Sequence, residues 1–477
     1  MTGRSSATAL RGFLAPLALA QFICSFAGSN MNVMIKPISD DLDTTVQGVQ
    51  ATITLFLLIM AILMVPCSKL TDRWGRKRCL IAGLTLFGIG ALLSAVAPHL
   101  GLLILGNSVL EGVGTALLIP PVYILTTMAF RDLASRARAF GLISGMGGVG
   151  AAAGPLIGGV IATGIGWRWA FGFQALVVAT IVLLSRRLAD PVAPDPTRPF
   201  DGVGAVLSGV GMFFVVFGIL LADNDGALMA LFLVIGAAFL LWFFLYIRAR
   251  ERAGREPLLS TRLFRNRTSN LGLVTQNIQW LVLMGTSFVV SVYLQTKRGY
   301  DPIQTGAVFT SATVGVLASS LAAGRLARRY SQKHLIAAGF VLVVAGIGIL
   351  LGLAGVSSKV VATVPGLLLI GLGTGVMLTA SVNVVQSSFP EPLQGEISGL
   401  SRSVSNLGSS FGTAIAGTII VSDFAAGNGP YRIAMVALAA FALIGLAAAV
   451  FLPANPAGAD APGERAAPEA LGAVEHG

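Results

Sequence analysis

Of the 21 aspartates and glutamates in the chain, Glu111 is the one that falls inside a long apolar run, in "NSVLEGVGTALL". An unpaired charge at the centre of a membrane costs at least about 2.5 kcal/mol, so an ionisable side chain held there is a functional candidate by default. The chemistry such a carboxyl offers is proton uptake and release. Hydrolytic and metal chemistry find no support in the residue pattern. His99, His334 and His476 are scattered, and Cys24, Cys67 and Cys79 are odd in number and lie in or beside apolar runs. Neither set has ligand spacing or implies a disulfide framework. "GVGAAAG" from Gly148 to Gly154 lacks the lysine of a phosphate-binding loop, and no strand precedes it. The expectation is therefore a protein that is not an enzyme and has no cofactor or metal.

A second set of residues can orient a small molecule. Gln21, Ser25, Ser29, Asn32 and Lys36 recur every three to four residues in the first apolar run, a polar stripe that faces a cavity rather than lipid. Gln276, Asn277, Gln279 and Trp280 lie together further on, and Trp280 is the aromatic among them that can stack on a planar substrate. Asn383 and Gln386 follow, and Arg402, Asn406, Ser409 and Thr413 form another stripe at helical spacing. For each taken singly, a packing or lipid-facing role stands beside substrate contact. Neutral polar groups do not attract a cation, so neutral, zwitterionic and anionic amphiphiles are as open as cationic ones.

The elements that must hold these residues are membrane helices. A chain with 55% hydrophobic and 11% charged residues and a mean hydropathy of +0.82 is not a soluble globular protein of this length. Its apolar runs match the roughly 20 residues needed to cross about 30 Å of hydrocarbon as a helix. They predict an all-α polytopic membrane protein with 14 spans, near residues 13–35, 49–68, 79–97, 101–123, 139–163, 170–185, 203–222, 227–247, 271–294, 303–323, 334–354, 360–387, 398–421 and 431–452. The first run continues through Phe22 to Ile35, too long for a cleaved secretory signal.

Lysine and arginine gather in alternate loops, among them Lys69 to Arg78, Arg131 to Arg138, Arg186 and Arg187, Arg248 to Arg267, and Arg325 to Lys333. That bias puts both termini in the cytoplasm of a cell whose inner (plasma) membrane the chain spans. It also accounts, with anionic lipid headgroups, for the net charge of +11. No nucleic-acid partner is needed.

An internal repeat divides the chain. "SKLTDRWGRKRCLIAG" from Ser68 aligns without gaps to "GRLARRYSQKHLIAAG" from Gly324, each between the second and third spans of a set of six. Parallel repeats of this kind build a central substrate path in transporters. The expected organisation is a six-helix bundle over 1–187, a linker with two extra spans over 188–268, a second six-helix bundle over 269–453, and a disordered cytoplasmic tail over 454–477.

The stretch "GLISGMGGVGAAAGPLIGG", residues 141–159, holds eight glycines and a proline. In lipid a backbone group has no water to fall back on, so even this segment is better helical, and its small residues let helices approach closely. Gly150, Gly154 and Gly158 share one face as a groove for a neighbour, and Pro155 can bend the span. The stretch is read either as a sliding surface that gates or as permanent close packing.

Ser68 to Leu80 resembles the loop signature G-x-L-a-D-R-x-G-R-K-x-x-L of the major facilitator superfamily, with Asp72, Arg73, Gly75, Arg76 and Lys77 matching and Ser68 in place of the first glycine. Residues 141–159 match the antiporter signature G-x8-G-x3-GP-x2-GG through Gly141, Gly150, Gly154, Pro155, Gly158 and Gly159. "WRWAF" from Trp167, "RPFDGVGAVL" from Arg198, "PLLSTRLFRNR" from Pro257 and "VYLQTKRGYDPIQTG" from Val292 are similar to the fourteen-span drug:H+ antiporter branch.

The resemblance implies a major facilitator fold of two six-helix bundles plus two central extra helices. It also implies that Asp72 latches the cytoplasmic mouth by pairing with basic residues such as Arg136 and Arg138. In the second loop Arg328 takes the aspartate's place. The fourth-span signature of the family, R-x-x-Q-G-x-G, is altered, with Ser108 for the arginine and Glu111 for the glutamine. Either the proton site has been rebuilt at Glu111, or a protonated Glu111 does glutamine's hydrogen bonding. The first span also lacks the acid usual in this branch.

The expected function is a monomeric, proton-coupled secondary exporter of small amphiphilic compounds, working by alternating access within the lipid bilayer. A dedicated exporter of one endogenous metabolite, or a non-transporting scaffold or sensor with the same fold, are the alternatives.

Overall fold

The protein is described by a computed structural model covering residues 2–130, 133–186, 188, 190, 194–221, 226–327, 329–354, 362–390, 393–421 and 427–453. The side chains of residues 2–12, 133–138, 140, 141, 144, 152, 324, 353, 354 and 394 are excepted. The expected tail and Arg328 lie outside the described residues, as do the side chains of Arg136 and Arg138 and the surroundings of Gly141.

Among the described residues every element is helical. In order they are α1 (Thr2–Asn30), a 3-10 turn, α2 (Ile35–Asp41), α3 (Val46–Trp74), α4 (Arg76–Ala95), α5 (Leu100–Leu103), a π-helix (Ile104–Glu111), α6 (Gly112–Ala129), α7 (Leu133–Gly164) and α8 (Arg168–Ser185). Then come α9 (Gly202–Leu220), α10 (Gly226–Arg252), a 3-10 turn at Thr261–Arg265, α11 (Arg267–Val292) with a π-turn at Tyr293–Lys297, α12 (Pro302–Leu326), α13 (Gln332–Ala354), α14 (Val364–Gln386), α15 (Gln394–Val421) and α16 (Gly429–Val450). Fourteen of these stretches are long and apolar enough to cross a membrane, and each falls on one of the runs predicted from sequence. The boundaries differ most at span ends, where helix continues to Asp41, Trp74 and Ala129, and polar caps start two helices ahead of their apolar runs. Thr45 accepts the Gly48 amide to start α3 before the predicted span, and Asn266 accepts the Ser269 amide to start α11.

Local chemistry sets the turns between spans. Gly75 joins α3 to α4 at φ 97°, a backbone region that side chains rarely adopt, which is why the loop motif carries glycine there. Asp301 and Gln304 form a capping box with Pro302 in the first turn of α12. Asp201 is 4% exposed and draws four groups together: the Gly204 amide, the Tyr246 hydroxyl, the Leu258 amide and the Arg250 guanidinium. It thereby ties both extra spans to the chain entering α11.

The first six spans pack chiefly on one another, α1 on α7 and α8 and α4 on α6 and α8, and the last six do likewise, α11 on α15 and α16 and α14 on α12 and α13. Two seams join the sets: α3 against α15, and α7 against α12. The extra pair packs glycine to side chain, Gly211 on Leu240 and Gly236 on Val215. Helix α9 lies over the α3/α15 seam, with Gly209 against Ile62 and the Thr418 hydroxyl donating to the Ile219 carbonyl at 3.2 Å. We call the end carrying the Ser68–Leu80 loop the basic end, and the opposite end, which carries Asn32 and Gly159, the far end.

Candidate functional site

Glu111 closes the π-helix of the fourth span. The extra residue in the turn is accommodated by glycines: a Cβ on Gly90 would sit 2.6 Å from the Gly106 carbonyl oxygen and 2.8 Å from the Glu111 amide. Wide π-turns inside α-helices recur at functional sites. The side chain is fully buried, and its Oε2 accepts one long bond from Asn107 Nδ2 at 3.4 Å. Glu111 Oε1, Asn107 Oδ1 and Ser94 Oγ are buried without partners, and among the described residues no cation lies within ion-pair distance of the carboxyl. A neutral acid needs few partners, whereas an ionised one in such a place wants several donors. The arrangement can hold a proton and is poorly furnished to hold a bare charge. Ser108, in the position of the family's arginine, donates to the Thr52 carbonyl at 2.7 Å and so fastens the π-helix to α3.

The glycine-rich helix α7 presents two faces with different partners. On one, Gly150, Gly154 and Gly158 lie against Phe22, Ser29 and Asn30 of α1, inside the same set of six. On the other, Pro155 and Gly159 lie against α12: a Cβ at Gly159 would be 2.5 Å from the Pro302 carbonyl oxygen, and Gly306 abuts the Pro155 carbonyl. The Ile303 amide donates to Thr163 at 3.1 Å. This second face opens toward the basic end, where a Cβ on Gly148 would find only the tip of Leu317 at 4.0 Å. Asn32 completes the far-end closure, its carbonyl accepting from Ser291 and, at 2.9 Å, from Gln295, while the Lys36 amide donates to Gln295 at 2.9 Å.

At the basic end Asp72 binds Arg76 at 2.7 Å and Arg198 of the linker at 2.9 Å, while Arg73 lies half-buried in the last turn of α3. Lys69 reaches Glu396 of α15 and Glu256 ahead of α11, both at 2.8 Å. Glu396 also accepts the Ser260 amide. Asp72 therefore faces the linker rather than α15, and Lys69 spans the seam.

The polar residues of the spans divide by placement. Gln21 and Ser25 lie on a face of α1 that also carries Gly28, where a Cβ would meet nothing within 4 Å. Ser29 instead bonds back to the Ser25 and Phe26 carbonyls beneath Gly154. Gln276 is 2% exposed and is held by Ser401 and Ser405. Asn277 donates to the Val404 carbonyl and lines a lateral crevice of about 500 Å³ with Ile219, Phe411 and Phe441. Trp280 and Asn406 are half-buried, and Asn383 is exposed near the basic end of α14.

Two further residues join Gln21 on this face of α1. Arg402 of α15 donates to the Tyr123 hydroxyl of α6 and stacks over its ring at 5.0 Å, and Tyr123 donates to Gln21 Oε1 at 3.2 Å. Spacing alone does not single out Tyr123, because a tyrosine among apolar neighbours carries no periodic signal. Its role emerges only when α15 is brought beside it.

Residues 17–413, and again 272–474, match the family model of the Major Facilitator Superfamily. The chain is 29% identical over 418 residues to the multidrug efflux pump LfrA of Mycolicibacterium smegmatis, covering 86% of this chain and 81% of the relative. It is 28% identical over 418 residues to the puromycin resistance protein pur8 of Streptomyces alboniger, covering 87% and 82%. With the tetracenomycin C resistance and export protein of Streptomyces glaucescens it shares 27% over 393 residues, covering 81% and 71%. Among solved structures, a peptide transporter POT in complex with sulfate superposes with a TM-score of 0.68 at 16% identity, over 93% of this chain and 95% of that one. At that identity the likeness carries the fold.

Proposed function

Because the chain belongs to the Major Facilitator Superfamily, built as two six-helix bundles with two added spans, we propose that it exports small amphiphilic compounds, drugs among them, in exchange for protons by alternating access. Relatives named for multidrug efflux and for resistance to puromycin and tetracenomycin C support the export of small molecules. The observation that carries the proton half of the reading is Glu111: a wholly buried carboxyl, with no cation beside it among the described residues, in a span otherwise free of acids.

The positive-inside bias puts the basic end and both termini in the cytoplasm of a multi-pass protein. A compound then enters from the basic end between α1, α6 and α15, where Gln21, Ser25, Asn406 and Trp280 contact it. Parting of the α7/α12 seam at Pro155 and Gly159 opens the far end for release. Lys69 holds the basic end through Glu396 while that happens, with Asp72 and Arg76 bracing the turn beside it. The first bundle and the second move as two bodies over 1–187 and 269–453, with α9 riding on the seam between them. A proton bound at Glu111 from outside and released inside contributes about 2.3 kcal/mol per 100 mV of membrane potential, plus the pH term.

The test is survival of an exporter-deficient bacterium on a panel of dyes, biocides and antibiotics, with empty vector, wild type and Glu111→Gln at matched expression. The expected result is that wild type protects against several unrelated compounds and Glu111→Gln falls to the empty-vector level. Full protection by Glu111→Gln would reduce Glu111 to a hydrogen-bonding role. Protection against nothing by wild type would move the reading to a dedicated metabolite exporter.

A further inference from the structure

Among the described residues the cations that meet acids do so generously. Lys69 has two carboxylates, Arg76 and Arg198 share Asp72, Arg168 has Asp41, and Arg250 lies beside Asp201. Among the described residues no carboxylate pairs with Arg402, although it stands eight residues into α15, about 12 Å from the helix start at 1.5 Å per residue. Its counterpart is a neutral phenol, Tyr123, which holds one guanidinium nitrogen and offers its ring face. An arginine kept at depth without a carboxylate marks a place where the charge is used.

Glu111 is wholly buried and bonded to Asn107, and Glu396 is taken by Lys69 and the Ser260 amide. The side chains beside Tyr123, Gln21 and Ser25, add only neutral polar groups, and a Cβ at Gly28 on the same face of α1 would meet nothing within 4 Å. A cation entering there meets an uncompensated guanidinium. An anion meets a planar fork of donors suited to bidentate contact.

We propose that Arg402 is the substrate-recognising charge of the path between α1, α6 and α15 and that its preferred substrates are anionic amphiphiles, a carboxylate or sulfonate joined to an aromatic body, with the anion on Arg402 and the aromatic body against Tyr123. This rests on the export reading for its biological meaning, but binding can be read without transport. Tyr123 fixes the guanidinium, and a bound anion takes the donors that Tyr123 leaves free.

The experiment uses the purified full-length protein in lipid nanodiscs, with fluorescein and rhodamine 6G as an anionic and a cationic probe on a shared xanthene body, read by fluorescence anisotropy. Wild type is expected to bind fluorescein more tightly than rhodamine 6G. Arg402→Gln should weaken fluorescein by at least about tenfold, the size of one charge-assisted contact, and leave rhodamine 6G unchanged or tighter. Arg402→Lys should recover part of the loss, because it keeps charge without the fork. Tyr123→Phe should retain the preference, which separates recognition from a structural bond between α6 and α15. The proposal is overturned if rhodamine 6G is preferred, if neither probe binds wild type, or if Arg402→Gln and Tyr123→Phe lower both probes equally. Arg402-dependent fluorescein binding in a protein that protects no cells would sink the export reading and leave this inference standing. Protection against cationic dyes that survives Arg402→Gln would do the reverse.

Discussion

At the far end α7 and α12 meet backbone to backbone, Gly159 on Pro302 and Gly306 on Pro155. At the basic end the bundles meet through long side chains, Lys69 on Glu396 and Arg402 on Tyr123. The first contact has no charge in it and no slack, since a single Cβ overfills it. The second includes a pair of partly exposed charges, Lys69 at 20% and Glu396 at 18%. The first contact is therefore sensitive to size and holds nothing for salt to screen, whereas the second adds a salt-sensitive pair to the packing of α3 on α15. A machine that opens its ends alternately gains from this, because a close apolar seal excludes water and protons while a charged latch can be competed away by solvent or by an entering anion.

The largest effect is expected from bulk at the size-sensitive seam. Gly159→Leu should prevent far-end closure, abolish export, and raise labelling of a cysteine placed at Asn32 by a membrane-impermeant maleimide, in a background without Cys24, Cys67 and Cys79. Those three are free and buried, so their removal costs packing but no disulfide. The sharpening control is Gly150→Leu, which meets the Phe22 carbonyl inside one bundle. It should lower thermal stability without selectively exposing position 32. Equal labelling in both variants would erase the distinction between the two faces of α7.

That distinction is only half legible in the sequence. Spacing of four correctly puts Gly150, Gly154 and Gly158 on one face, and the antiporter motif singles out Pro155 and Gly159. Which bundle each face touches depends on α12, some 140 residues later, and periodicity holds no such information. Glu111 is legible because a lone acid in an apolar run stands out, but its π-helix is not, because the glycines that permit the wide turn lie on two helices. Arg402 shows in the sequence only as one member of a polar stripe for the same reason: its meaning comes from Tyr123, which is 279 residues away. The fourteen spans, by contrast, follow from length and hydropathy alone, which the bilayer imposes locally.

An intermediate effect tests the charged seam. Lys69→Ala and Glu396→Ala, singly and together, should show a coupling of about 0.5–1 kcal/mol in thermal unfolding or in the basic-end accessibility equilibrium, the range for partly exposed pairs. Coupling should shrink as ionic strength rises from 10 mM to 1 M, because the Debye length falls from about 30 Å to about 3 Å. The Gly159 contact should show no such dependence. Charge exchange, Lys69→Glu with Glu396→Lys, should restore only part of the loss, because Glu256 and the Ser260 amide remain set for the original signs. A coupling that ignores salt would mean the pair is positioned by packing rather than by charge.

The smallest effect belongs to Arg198, the linker's partner for Asp72. It is 55% exposed, and Asp72 keeps Arg76, itself 9% exposed, at 2.7 Å when Arg198 is gone. Arg198→Ala should therefore change stability by no more than about 0.5 kcal/mol, as surface substitutions do, and leave export close to wild type. Asp72→Asn removes the charge both arginines share and one of the two acceptor oxygens, and leaves Arg76, largely buried at the turn that Gly75 makes, without its carboxylate. A buried cation stripped of its partner costs more than an exposed one, so Asp72→Asn should exceed Arg198→Ala in both thermal shift and lost resistance. If the two variants match, the linker rather than the turn is what Asp72 secures, and the extra spans it leads into would gain a direct hold on the basic-end seam.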